Sequence, residues 1–254
     1  MLNDPFQTDR NAARLLLDFS VGLSFIDFSI QNKKTLDIAC GTGWTSEFLN
    51  KLGLDVYGFD IDNEVIKLAK TRHLNDKRIR KDHLHFSISD GHKIKHPNNY
   101  FGHIFCFDSF HHMENYKTAL KEVYRVLQPG GKAIFVEPGS KHADSIETKK
   151  FMSKNRHGDY WIEKNVDLLE MYNLSNTIGF TNMIIKPYND PSIVSYSFID
   201  WYNILNNPEG IKNQITELRR FNDEDRIIFA LQKPLKKKPS MNLLISTIVK
   251  RIKR

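Results

Sequence analysis

The chain has 254 residues, 40% hydrophobic and 26% charged, an ordinary globular composition long enough to bury a core without covalent staples. Its net charge of +7 is a property of one end: Lys236, Lys237, Lys238, Lys250, Arg251, Lys253 and Arg254 follow Pro234 with no acid among them, leaving 30 basic residues against 30 acidic ones. A formally neutral body excludes broad recognition of a phosphate backbone, so no nucleic acid partner is expected.

In chain order, Met1 to Pro5 lack a basic stretch followed by an apolar run, so no secretory signal is expected. Ala12, Leu15, Leu16, Phe19 and Leu23 recur at helical spacing and predict an amphipathic helix within 9–30, part of an N-terminal helical segment, 1–33. From Lys34 short apolar runs alternate with helical segments. Strands are predicted at Thr35–Ala39, Leu54–Asp60, His83–Ile88, His103–Phe107 and Lys132–Glu137. Helices are predicted between them at Thr45–Leu52, Asn63–His73 and Lys117–Leu127, the last stopped by Gln128-Pro129-Gly130-Gly131. Parallel neighbours need long crossovers, so this alternation implies a doubly wound α/β fold with a mostly parallel sheet.

The second half is less regular. A helix over Val166–Thr177 and strands over Phe180–Lys186 and Arg226–Gln232 complete a domain of residues 34–233. Between those strands, 189–222 is a polar insertion bearing Tyr196, Phe198, Trp201 and Tyr202, expected to cap the carboxyl edge of the sheet, where α/β folds bind ligands. Cys40 and Cys106 sit in apolar runs and read as buried thiols, which fits a reducing, cytoplasmic setting. No stretch approaches the ~20 apolar residues that span a bilayer.

The strongest local signal is Leu36-Asp37-Ile38-Ala39-Cys40-Gly41-Thr42-Gly43, a strand running into a small-residue turn that opens a helix. Small residues admit a ligand to the backbone, and the helix start offers N–H groups to an anion. The next strand ends in Asp60, 17 residues after Gly43, where a carboxylate can accept hydrogen bonds from a ribose diol. A dinucleotide site fits poorly, because Gly41-Thr42-Gly43-Trp44-Thr45-Ser46 ends in serine and places bulky Trp44 after the turn.

Asp37 to Gly43 resembles the first motif of class I S-adenosylmethionine-dependent methyltransferases, with Ala39 in place of the first glycine. Val56 to Asp62, Phe86 to Gly91, Phe107 to Met113 and Leu120 to Gly131 resemble the following motifs in order, so the resemblance spans about residues 34–138. It implies a seven-stranded Rossmann-like methyltransferase sheet with an antiparallel last strand. It also implies S-adenosylmethionine as cofactor and S-adenosylhomocysteine as product. On this resemblance Asp37 holds the methionine ammonium, Ala39, Gly41 and Gly43 form the loop, and Asp60 with Ile61 takes the ribose side. Asp90 and Gly91 face the adenine, and Asp108 ends the fourth strand at the cofactor. Glu137-Pro138-Gly139-Ser140-Lys141-His142, followed by Gly158 to Val166, resembles a subgroup associated with bacterial surface-polysaccharide synthesis.

His111 and His112 follow the fourth strand, where the acceptor belongs, and either is a candidate base; the family also places structural histidines there. His142 and His157 are weaker candidates. His83 and His85 share a strand face, but no acid or cysteine cluster in the sequence completes a metal site with them, so no metal is expected. The expected acceptor is a sugar, nucleotide-linked sugar or phosphorylated glycan precursor, methylated on oxygen. A quinone-like lipid acceptor is the alternative, and a non-catalytic cofactor-binding or nucleic-acid-binding protein is a third reading. In the tail, 234–254, apolar residues at 241, 244, 245, 248 and 252 form one stripe between basic flanks. That stripe fits either a peripheral contact with the inner face of an anionic membrane or a subunit contact.

Overall fold

The structure is a computed structural model that describes residues 9–72, 76–154, 162–186, 197–207 and 226–235. Its centre is a seven-stranded sheet of β1 (Lys34–Ile38), β2 (Asp55–Asp60), β3 (Leu84–Ile88), β4 (Phe101–Phe107), β5 (Leu127–Pro138), β6 (Asn182–Ile185) and β7 (Arg226–Gln232). The strand order is β3-β2-β1-β4-β5-β7-β6. Strands β1 to β5 pair in parallel, and β7 runs antiparallel to both β5 and β6. This is a Rossmann-like methyltransferase fold. All seven residues of β4 are buried, as expected of a central strand covered on both faces.

The chain reverses its direction of winding between β1 and β4, and the crevice at such a switch point is where open α/β sheets hold ligands. One face carries α1 (Asp9–Leu23) and α2 (Trp44–Lys51), and the other α4 (Tyr116–Val126) and α6 (Leu168–Ile178); α3 (Asn63–Arg72) packs on β2 and β3, and α5 (Ile146–Lys154) precedes α6 in the chain. Helix α1 packs on the sheet through Leu15 and Phe19, beside Phe105, Val136 and Ile228. A β-carbon at Gly22 would stand 2.6 Å from Val136, so glycine lets this helix lie close on β5. Asn115 starts α4 by accepting a hydrogen bond from the Thr118 N–H, which satisfies one orphan donor of the first turn.

Several boundaries differ from the expected ones. Helix α1 ends at Leu23, not near residue 30. The Gln128–Gly131 corner belongs to β5, which begins directly after α4 and is 12 residues long. Phe101 pairs with Leu127 and His103 with Lys132, so the glycine pair is taken up by a register shift rather than by a loop. Within the 189–222 insertion the described residues include one helix, α7 (Phe198–Asn206), with Phe198 and Tyr202 exposed. His157, the rest of the insertion and the tail from 236 lie outside the described residues.

Candidate active site

The turn after β1 is shaped by backbone conformation. Ala39, Gly41 and Gly43 all take positive φ, at +50°, +54° and +81°. Gly43 then starts α2, whose first residue, Trp44, turns away from the turn into a buried aromatic group with Phe19, Phe48 and Phe107. A residue that argued against a pyrophosphate site is thus a core side chain. A β-carbon built on Gly41 meets nothing within 4 Å, so the turn faces open space at the sheet edge.

The sequence-predicted acids occupy distinct positions around that space. Asp37 is fully buried, and its Oδ2 accepts hydrogen bonds from the Thr45 and Ser46 hydroxyls at 2.6 and 2.5 Å. Burial pushes its carboxyl up to about 6 despite those two bonds. Asp60 Oδ2 accepts from the Gly41 N–H at 3.0 Å and Oδ1 from the Asp62 N–H at 3.0 Å, so the second strand's acid pins the first strand's turn. Ile61, immediately after it, is 75% exposed, an unusual state for a large apolar side chain beside a cleft. Asp90 accepts from the His92 N–H and ring, and Gly91 lies against Met113.

Three buried polar atoms near this edge have no hydrogen-bond partner: Asp37 Oδ1, Thr42 Oγ1 and Ser89 Oγ. Buried polar groups are normally satisfied, so such orphans mark places where a ligand's donors and acceptors fit. An orphaned carboxylate oxygen at the end of β1 matches an ammonium, and the exposed Ile61 matches the flat face of a base. The residues present therefore fit an adenosyl amino acid.

Asp108 is placed differently from that group. Its carboxylate is held by Arg226 of β7, whose Nε also donates to buried Asp18 at 2.8 Å. Burial would raise the Asp108 carboxyl, but the guanidinium outweighs it and holds it well below the usual range. Its backbone, at φ +53°, starts the turn that carries the histidines.

That turn, Phe110–His112, is organised by Glu137 at the end of β5. The buried Glu137 carboxylate accepts from the N–H groups of Ser109, Phe110 and His111 at 3.3, 2.9 and 3.2 Å, and from His111 Nδ1 at 2.8 Å. A carboxylate only accepts, so Nδ1 carries the proton it shares with Glu137. Glu163 closes the group from above, with Oε2 3.5 Å from His111 Nε2 and 3.0 Å from His142 Nε2. His112 donates from Nδ1 to the Ile162 carbonyl at 2.7 Å. Burial alone would lower His111, yet Glu137, Asp108 and Glu163 outweigh it and raise the imidazole. The Ser109 hydroxyl also reaches the Ala39 carbonyl, so the imidazole cluster and the turn after β1 are joined.

The structure thus brings His111, His112 and His142 together. His83 and His85 lie apart, both beside Asp55, an acid the spacing did not disclose. Glu163 was missed as well, since it is distant in sequence and no local pattern marks it. Among the described residues, no helix is long and apolar enough to cross a membrane.

Residues 36–135 match the family model described as a methyltransferase domain. Over those residues the match defines a class, a methyltransferase domain, and the sheet shares its fold with a solved methyltransferase. A demethylmenaquinone methyltransferase of Anoxybacillus flavithermus is 24% identical over 177 residues, covering 61% of this chain and 73% of the relative. A ubiquinone/menaquinone biosynthesis C-methyltransferase of Neisseria meningitidis serogroup C is 36% identical over 107 residues, and the chain spans only 42% of its length. The phosphoethanolamine N-methyltransferase 2 of Haemonchus contortus, solved with S-adenosyl-L-methionine, superposes with a TM-score of 0.61 at 17% identity. That superposition covers 86% of this chain and 52% of the other.

Proposed function

We propose that this methyltransferase domain, with S-adenosylmethionine as methyl donor, methylates a hydroxyl of a small polar acceptor, a sugar or nucleotide-linked sugar of a glycan precursor. The observation that carries this reading is the cluster of buried His111 and Glu137 with half-buried His112 and His142 and with Glu163, tied through Ser109 to the turn that fits the cofactor.

The bound cofactor supplies an activated methyl group. What remains for the chain is to place an acceptor atom in line, roughly 3 Å from the methyl carbon, and to manage the proton of a hydroxyl. Asp37 and Asp60 bind and orient at the end nearer β1. The imidazoles line the end beyond β4, where an acceptor hydroxyl finds groups able to take its proton. Residue Glu137 positions His111 and does not itself touch an acceptor.

The quinone relatives favour a second reading in which the acceptor is a lipid-like hydroquinone. In that reading the methyl goes to a ring carbon and the proton lost is that of its C–H, whereas the first reading loses a hydroxyl proton. Incubating the purified chain with the donor and panels of sugars, nucleotide-linked sugars, phosphorylated precursors and hydroquinones, while following S-adenosylhomocysteine release, separates them. Turnover on sugars supports the first reading and turnover on hydroquinones the second. No binding of S-adenosylhomocysteine by calorimetry would remove both.

A further inference from the structure

We infer that His111, His112 and Glu163 hold a divalent first-row transition-metal ion, a site that rests on the reading of this cluster as the acceptor end of a methyltransferase. One nitrogen of each imidazole and one Glu163 oxygen lie within 4.8 Å of one another, brought together from the turn after β4 and the segment before α6.

The internal distances separate this cluster from a set of hydrogen bonds. His111 Nε2 stands 3.5 Å from Glu163 Oε2, and His112 Nδ1 stands 3.8 Å from Glu163 Oε1. Both are long for charge-assisted hydrogen bonds, which close to about 2.7–2.9 Å. Two ligand atoms each about 2.1 Å from one tetrahedral ion are about 3.4 Å apart. With Nδ1 donating to Glu137, Nε2 is the His111 nitrogen turned toward Glu163, and an ion bound there takes the place of a proton between the two.

The supporting shell is that of a metal site. Glu137 fixes the His111 tautomer and ring, as carboxylates behind metal-bound imidazoles do. His142 meets Glu163 at Oε2, and Oε1 is the oxygen that stands 3.8 Å from His112 Nδ1. His112 would exchange the Ile162 carbonyl for the ion, a movement its partly exposed ring permits. Two imidazoles and one carboxylate suit zinc, iron or cobalt better than the all-oxygen sets that magnesium and calcium prefer. Three protein ligands leave a position open, and a hydroxyl bound there ionises nearer neutrality, its proton passing to water.

The test is titration of the chelator-treated full chain with cobalt(II), followed by visible absorption, with zinc competition and calorimetric S-adenosylhomocysteine binding on the same samples. One equivalent of cobalt with ligand-field bands, displaced by zinc, is expected. Glu163→Gln is expected to weaken cobalt roughly tenfold or more while leaving S-adenosylhomocysteine binding intact, and Glu137→Gln to weaken it about 10–100-fold through the supporting shell. His83→Gln, at the separate pair beside Asp55, is expected to change neither. Cobalt binding unaffected by Glu163→Gln, or lost in His83→Gln, overturns the site. So does absence of cobalt binding in a chain that still binds S-adenosylhomocysteine, a result that leaves the methyltransferase reading standing. Loss of both kinds of binding would remove the two together.

Discussion

Strand β4 carries a buried histidine at one end and leads into another beyond the opposite end, and the two are held in contrary ways. His103, near the amino end, is fully buried, accepts the Asp27 N–H at Nε2, and leaves Nδ1 without a partner. Burial pushes it down to about 4. His111, just past the carboxyl end, is as buried, yet Glu137, Asp108 and Glu163 raise it. Burial alone therefore does not set the state of a histidine here; the placement of carboxylates does. The amino edge is built for packing and keeps its imidazole neutral. The carboxyl edge gathers Asp37, Asp108, Glu137 and Glu163 with Arg226, an arrangement that costs stability unless each charge has a partner.

The largest test of that contrast removes the group that makes the two edges differ. Glu137→Leu leaves three backbone N–H groups and the His111 ring unpaired in a buried site. A loss of about 3–5 kcal/mol is expected, read by urea denaturation. A loss below about 1 kcal/mol would mean that water replaces the carboxylate and that the edge is wetter than its burial implies.

At the other edge the expected effect is a pH dependence. His103 has a folded pKa of about 4 against an ordinary 6.5, so its contribution is complete above pH 6.5 and is lost as pH falls toward 4. Between pH 8 and pH 5 this amounts to about 2 kcal/mol. His103→Gln keeps an acceptor for the Asp27 N–H and removes the titration. The difference in stability between pH 8 and pH 5 should shrink by that amount in the variant; an unchanged difference would place the acid sensitivity elsewhere.

Asp37 tests whether the carboxyl edge is arranged for a ligand. Its carboxyl is raised to about 6, so the ionised form is disfavoured in the empty site, and stability contributed by the protonated form is lost as pH rises from 3.8 through 6. An ammonium ligand reverses that preference by pairing with the charge. The affinity for S-adenosylhomocysteine should then fall about tenfold per pH unit below pH 6. A flat calorimetric profile from pH 7 to pH 5 would separate Asp37 from the ammonium.

Legibility in the sequence follows the same division. Asp37, Ala39, Gly41, Gly43, Asp60 and Ile61 sit in two strand-to-helix turns, where chemistry and conformation are encoded within a few neighbouring residues. The seven-stranded, mostly parallel sheet and its antiparallel last strand followed from the family resemblance of those turns. The carboxyl edge beyond β4 depends on long-range partners: Glu137 with His111, Arg226 with Asp108, and Glu163 with His142. No periodicity or spacing signals such pairs, because each partner arrives on a separate element. Asp108 shows the consequence, since its position in the motif implied the cofactor while its carboxylate is taken by an arginine from the last strand.

The smallest expected effect concerns Ala39, where the sequence departs from its family by one methyl group. Size alone makes alanine an innocuous replacement, but φ at +50° places it in the left-handed region, which costs an ordinary residue about 1–2 kcal/mol. The turn keeps that conformation because both flanks are fixed: the Ala39 carbonyl accepts the Ser109 hydroxyl, and the Cys40 N–H donates to the Phe59 carbonyl. Ala39→Gly relieves the strain but loosens the unfolded chain by about 0.5–1 kcal/mol, so a net gain of about 0.5 kcal/mol is expected in urea denaturation. Ala39→Val, branched at the β-carbon, should lose stability and weaken S-adenosylhomocysteine binding together, because the same turn serves both. If glycine instead destabilises the chain, the Ala39 methyl contributes more through its packing against the core beneath the sheet edge than its backbone conformation costs.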